Sequence, residues 1–293
     1  MIKVGFIGLG VMGSPMAGHI LENGYPLYIN TRTREKAEAL IEKGAIWCRN
    51  AKEVAENADC VITIVGFPKD VEKVYLSEDG LAEGAKDGSI FIDMSTTEPS
   101  LEIAINKELK KKGAHLVDAP VSGGDVGARN GTLSIMAGGR REDFDKILPI
   151  LSTMDKNIVY TGEIGSGQHT KMANQIVIAG TMIGVSEALV YGKKAGLDLD
   201  TMVSTIAKGA AGCWTLDNLA PRVIKGDFDP GFMIDHFIKD MKIAIYESRA
   251  MGLNLPGLRL VEDLYEKLSE EGYGRNGTQA LVKAIEELAK DKG

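Results

Sequence analysis

The sequence predicts two domains in succession, an α/β domain on a mainly parallel sheet and then an all-α domain. Three observations lead there. The chain has 293 residues, about twice the length of a typical single domain. Its first half alternates short β-branched runs with stretches of helical period, the pattern of a doubly wound sheet buried on both faces. After Gly162 the strand signals stop.

Taken in order, IKVGFIG, PLYIN, CVITIV, SIFIDM, HLVDAP and LSIMAG read as strands, and 15–23, 34–43 and 100–112 as helices among those between them. From residue 168 to 195 the chain reads as one long helix, apolar but rich in Ala, Gly, Ser and Thr, which allow another backbone to approach closely. The segments 199–209, 240–251, 258–271 and 277–290 repeat the helical period with glycine breaks. The expected domains are therefore 1–161 and 162–293.

Composition sets outer limits. With 44% hydrophobic and 26% charged residues the chain is an ordinary globular one. A net charge of −7 argues against nucleic acid or an anionic membrane surface as partner. Cys48, Cys60 and Cys213 are odd in number and widely spaced, as expected of reduced thiols in a cytoplasmic protein. The start MIKVGFIGLG lacks the features of a signal peptide, and the longest apolar run, 176–185, is about half of what spans a bilayer, so no membrane segment is expected. The four histidines show no ligand spacing, and no metal site is expected.

The first chemical signal is Gly8-Leu9-Gly10-Val11-Met12-Gly13, directly after a strand and opening a helix. In that context Gly8 permits the tight turn, Gly10 lets the backbone approach a pyrophosphate, and Gly13 lets helix and strand pack closely, while the helix start offers free N–H groups to the anion. The α/β half is thus expected to be a Rossmann-type dinucleotide domain. The second strand ends at Asn30-Thr31-Arg32-Thr33, with no acid for a ribose 2′-OH and with arginines for a 2′-phosphate, which favours NADP over NAD. Val65, which ends CVITIV, and Gly66 after it are placed on the cofactor as well.

Three further segments point to a substrate. Thr96, in DMSTTEP, emerges at the carboxyl end of a strand, where open α/β sheets bind ligands, and is placed near the cofactor; Ser95 or Thr96 can equally be read as capping the helix that follows. Ser122-Gly123-Gly124 exposes successive backbone N–H groups beside a hydroxyl, suited to a carboxylate, unless it is a plain glycine turn. Lys171, Asn174 and Gln175, at i, i+3 and i+4 on the long helix, share one face whose surroundings are apolar, which calls for a wet cleft unless the three form a solvated surface stripe.

With GLGVMGSPMA, DMSTTEP, DAPVSGG, GSGQHTKMANQ and FIKDMK in this order, the chain closely resembles, over essentially its whole length, the β-hydroxyacid dehydrogenases. This is the family of 3-hydroxyisobutyrate dehydrogenase and of tartronate, glyoxylate and succinic semialdehyde reductases. The resemblance implies a long interdomain helix and a helical domain that helps form homodimers or homotetramers. It implies Lys171 as the catalytic lysine, Ser122, Gly123 and Gly124 as the carboxylate loop, Asn174 and Gln175 as substrate contacts, Thr96 near the nicotinamide and Lys239 on the cofactor side. Two departures stand out: Gln175 where many members have Asn, and Thr31-Arg32-Thr33 where NADP-preferring members often read Asn-Arg-Thr.

The expected reaction is reversible hydride transfer between NAD(P) and a small 3-hydroxy acid or semialdehyde, with Lys171 moving the proton. A lysine near its usual value of ~10.4 is a poor base at neutral pH, so burial or a neighbouring cation is expected to lower it. The rivals are an imine reductase, which usually lacks this lysine, a 6-phosphogluconate dehydrogenase, whose helical half is longer, and a non-catalytic dinucleotide binder.

Overall fold

The computed structural model describes residues 2–290. The chain divides into two compact units, Met1–Lys171 and Met172–Gly293, so the division falls within the long helix Ser166–Lys194.

The first unit is built on a nine-stranded sheet: β1 (Val4–Ile7), β2 (Leu27–Asn30), β3 (Ile46–Trp47), β4 (Cys60–Thr63), β5 (Ile90–Asp93), β6 (His115–Asp118), β7 (Val121–Ser122), β8 (Ser134–Gly138) and β9 (Asn157–Gly162). The order is β3-β2-β1-β4-β5-β6-β8-β7, with β9 paired to β8. From β3 to β6 all neighbours are parallel, whereas β8 runs antiparallel to β6 and β7. The 3-2-1-4-5-6 order is that of a Rossmann fold.

Side-chain alternation explains why β1, β4 and β5 are buried along their whole length. Phe6, Ile62, Ile92 and Val117 enter one apolar cluster, packed against the helix Gly13–Glu22 through Met16, Ala17 and Ile20. Ile7, Val61, Phe91 and Leu116 enter a second cluster on the opposite side. Both faces are covered, so the strands read as near-continuous apolar runs.

The register puts the strand ends in a row. Ile7 pairs with Asn30 on one side and Thr63 on the other, Thr63 with Asp93, and Asp93 with Asp118. Three polar residues, Thr63, Asp93 and Asp118, thus lie side by side at the carboxyl edge, each fully buried.

The second unit is helical. The helices Ile234–Ala250, Pro256–Leu268 and Leu281–Leu288 with the long helix enclose a core around Met182, Phe237, Met241, Leu258 and Tyr265. Two five-residue helices, Trp214–Asn218 and Ala220–Ile224, pack beside it around Leu216 and Ala220.

The expectation of no stretch long enough for a membrane needs a correction. By length and composition alone Ser166–Lys194 is long and apolar enough to cross one, because Ile, Val, Met, Leu and Ala keep its mean hydropathy high although Gly, Ser and Thr interrupt the apolar run. A third of that stretch is buried inside the protein. All three cysteines are free, Cys48 and Cys60 buried and Cys213 half-buried.

Candidate active site

Every residue that the sequence assigns to cofactor or substrate in the first unit lies at or beyond the end of a strand. The Gly8–Gly13 turn follows β1, Thr31–Thr33 follow β2, Val65 and Gly66 follow β4, Thr96 follows β5, and Ser122 with its two glycines lies just past β6.

The three glycines of the first turn differ in what they answer to. Gly8 has φ +100°, and a Cβ there would sit 2.0 Å from the Ile64 carbonyl oxygen; a Cβ on Gly13 would sit 1.8 Å from that of Gly8. Packing therefore requires both. A Cβ on Gly10 would meet nothing within 4 Å, so no protein atom accounts for that glycine. Space kept open beside a helix start that no side chain caps is what the pyrophosphate of a dinucleotide needs, and the residues present fit that group.

At the second strand's end, Asn30 turns its carboxamide inward and donates to the Cys48 carbonyl at 2.9 Å. Arg32 is exposed and paired with Asp70 at 3.1 Å, and the Arg34 guanidinium lies over the Trp47 ring at 5.6 Å.

The Thr96 segment is held from below. Asp93 Oδ1 accepts from the Thr63 hydroxyl at 2.7 Å and from the Ser95 hydroxyl and amide at 2.7 and 3.1 Å, while the Ser95 hydroxyl accepts from the Val65 amide at 2.9 Å. Ser95 and Thr97 are fully buried; Thr96 between them is half-buried.

Lys171 stands on the first turns of the long helix and is only 7% exposed. The start of this helix is fixed by Asp118, whose carboxylate accepts from the amides of Gly165 and Gln168, both at 2.7 Å. Burial pushes the Asp118 carboxyl up to about 7, against the pull of those two amides. A carboxylate at this helix end serves as a cap and complements the helix dipole.

In the second unit, Asn174 donates to the Gln175 carboxamide oxygen at 2.8 Å, and Gln175 in turn donates to Asp240 at 2.6 Å. The other oxygen of Asp240 lies 2.9 Å from the Lys239 ammonium. Gln175 and Asp240 are buried to about 1% exposure. Three residues assigned from sequence are thus joined through a fourth, Asp240, that sequence reasoning passed over although it stands in FIKDMK. Asp93, Glu102, Asp118 and Gln168 were passed over in the same way. For Asp93, Glu102 and Asp118 the one signal is an acid inside an otherwise apolar stretch, and Gln168 has none of its own.

Comparison with known proteins places this architecture. Residues 3–162 match the model of the NAD binding domain of 6-phosphogluconate dehydrogenase, and residues 165–285 match that of the NAD-binding domain of NADP-dependent 3-hydroxyisobutyrate dehydrogenase. The chain is 36% identical to the 2-hydroxy-3-oxopropionate reductase of Escherichia coli over 99% of each chain. It belongs to the β-hydroxyacid dehydrogenase family. An uncharacterized oxidoreductase of Bacillus subtilis is 53% identical over 96% of this chain and 97% of its own. A 3-hydroxyisobutyrate dehydrogenase of Mycobacterium tuberculosis, solved with L-serine, superposes with a TM-score of 0.90 at 28% identity over 97% and 99% of the two chains. This β-hydroxyacid dehydrogenase is accordingly an NAD(P)-dependent oxidoreductase, with the expected pairing of a Rossmann-type domain and an all-α domain.

Proposed function

We propose that this enzyme interconverts a small 3-hydroxy acid and the corresponding semialdehyde with NADP, and that Lys171 moves the proton. The observation that supports this best is the setting of Lys171. A nearly buried ammonium stands on a helix whose start is anchored to the carboxyl edge of a dinucleotide-binding sheet. The bound nicotinamide would supply or accept the hydride.

The chain's own residues would do the rest. The backbone N–H groups beside Gly8, Gly10 and Gly13, with Leu9, Val11 and Met12, would cradle the pyrophosphate, and Val65, Gly66 and Thr96 would line its continuation along the strand ends. The amides of Gly123 and Gly124 and the Ser122 hydroxyl would hold the substrate carboxylate. Asn174 and Gln175 would orient the reacting oxygen and Lys239 would serve the cofactor side. Lys171 would donate its proton to the carbonyl oxygen in reduction and take one from the alcohol in oxidation.

Arg32, with Thr31 and Thr33 and no acid at the end of β2, supports NADP, as does the NADP-dependent enzyme whose model matches the second half. Asn30, whose side chain is taken by Cys48, would contribute through its backbone. The L-serine held by the Mycobacterium relative is itself a 3-hydroxy acid, which supports a small carboxylate substrate. We further propose that the enzyme works in the cytoplasm, and that it forms a homodimer or homotetramer, the latter supported by Tyr191, Trp214 and Tyr246, large side chains exposed on the helical unit.

The deciding experiment is Lys171→Ala assayed against a panel of small semialdehydes with NADPH and NADH. We expect kcat to fall by about 10²-fold or more with coenzyme affinity nearly intact. Turnover near that of the parent would remove Lys171 from the mechanism.

A further inference from the structure

The peptide groups on either side of Thr96 are both bound by one side chain, and that side chain belongs to the Lys171 helix. Gln168 Nε2 donates to the Ser95 carbonyl at 2.7 Å, and Gln168 Oε1 accepts from the Thr97 amide at 3.1 Å. The carboxamide therefore pairs with the C=O before Thr96 and the N–H after it, as a neighbouring strand would pair with a single residue. Thr96, half-buried, is left with the peptide groups on both of its sides clamped.

The orientation of that carboxamide is dictated by its surroundings. Flipping it would set an NH₂ group against the Thr97 N–H and an oxygen against the Ser95 carbonyl. The remaining hydrogen on Nε2 goes to Glu102 Oε1 at 3.2 Å. Glu102 is fully buried and hydrogen-bonded to Asp93; burial, and then the charge of Asp93, hold its carboxyl well above the usual range. Glu102 thus accepts from Gln168 with one oxygen and lies against Asp93, so the contacts run from Gln168 to the strand end beneath Thr96. Gln168, Glu102, Asp93, Ser95 and Thr97 all show 1% exposure or less.

At its other end Gln168 is locked as well. Its backbone amide donates to Asp118, and it precedes Lys171 by three residues, about one helical turn. One residue thus touches both the segment that presents Thr96 and the cap of the helix that presents Lys171, with both sides of the junction in the first unit.

We propose that Gln168 is a positioning residue for hydride transfer: its carboxamide sets the backbone of Thr96 in register with Lys171. The proposal rests on the assignment of Lys171 and Thr96 to the reaction made above. Gln168 touches neither substrate nor cofactor in this role, and acts only through the two residues that it spaces.

The test is single-turnover oxidation of NADPH by the full-length enzyme, followed by stopped flow at saturating semialdehyde, with Gln168→Met, Gln168→Asn and Lys171→Ala in parallel. Methionine keeps the length of the side chain and removes its hydrogen bonds; asparagine keeps the carboxamide and draws it back by one methylene. A misplacement of about 1 Å can cost on the order of 10²-fold in rate. We expect the single-turnover rate of Gln168→Met to fall about 10- to 100-fold, with an undiminished amplitude and coenzyme Kd within about threefold. Gln168→Asn should fall in the same direction by less, and it serves alone if the methionine variant does not fold. A merely structural role would lower the amplitude and leave the rate of the folded fraction unchanged, and that result overturns the proposal. Loss of rate in Lys171→Ala but not in the Gln168 variants overturns the proposal alone. A Lys171→Ala enzyme that turns over normally overturns the underlying assignment and the proposal with it.

Discussion

Replacing Gly10 by alanine separates what a glycine does for the ligand from what it does for the fold. At Gly13 the added carbon would lie 1.8 Å from the Gly8 carbonyl oxygen and 2.8 Å from the Ile64 Cγ2, so backbone must move, and overpacking of this kind costs roughly 1–3 kcal/mol or more. At Gly10 it would meet nothing within 4 Å, and the backbone there is outside the left-handed region. A Gly→Ala change without strain stabilises by about 0.4–1 kcal/mol through the unfolded chain. Gly10→Ala should therefore melt at or slightly above the parent temperature, and Gly13→Ala well below it. The coenzyme should report the reverse. A methyl group in the approach path of a pyrophosphate forfeits one or more backbone hydrogen bonds to a charged group, each about 1.5–3 kcal/mol, which is on the order of 10- to 100-fold in Kd. Thermal unfolding followed by circular dichroism, with fluorescence titration of NADPH, measures both. A Gly10→Ala protein that melts as low as Gly13→Ala, or that binds NADPH as tightly as the parent, would refute the assignment of that open space to the cofactor.

Three other outcomes follow from the buried groups and the surface arginine. Because the Glu102 carboxyl is raised in the folded protein, its contribution to stability is complete below its unfolded value of ~4.3 and is lost as pH rises through the folded one. Glu102→Gln keeps the hydrogen-bonding shape and removes the proton, so its melting temperature should decline less than the parent's towards alkaline pH; parallel declines would show that Glu102 is ionised throughout. Asp240→Ala leaves Gln175 and the mostly buried Lys239 without their shared acceptor and should cost about 3 kcal/mol in urea unfolding, whereas a loss below about 1 kcal/mol would mean that water replaces the carboxylate readily. Arg32 is 85% exposed in its pair with Asp70, so Arg32→Ala should leave stability within about 0.5 kcal/mol. It should weaken NADPH binding by on the order of 10-fold without affecting NADH, and equal effects on the two coenzymes would exclude a 2′-phosphate contact.

How far the fold was legible depended on how locally each element is determined. β1, β4, β5 and β6 are central, and their β-branched runs are unmistakable because both faces are covered. The two-residue strands β3 and β7 are too short to show a period, and β9 is an edge strand with Val159 half-exposed, held by its pairing with β8. The same reason hid Trp214–Asn218 and Ala220–Ile224, five residues each, although the long helix was read to within two residues at its start and one at its end.

The site divides along the same line. Gly8, Gly10 and Gly13 announce themselves because turn, approach and packing are decided within six residues of one another. Lys171, Asn174 and Gln175 do so because a helix brings i, i+3 and i+4 to one side. Gln168 shares that motif, yet its partners Ser95 and Glu102 lie 73 and 66 residues away. They come within reach only because Thr63, Asp93 and Asp118 end their strands in register. A glutamine one turn before a lysine has no distinctive pattern of its own, and only the sheet shows that both peptide groups flanking Thr96 need it. With Thr96 and Lys171 in the roles proposed for them, its substitution should be read out in the rate of hydride transfer rather than in binding.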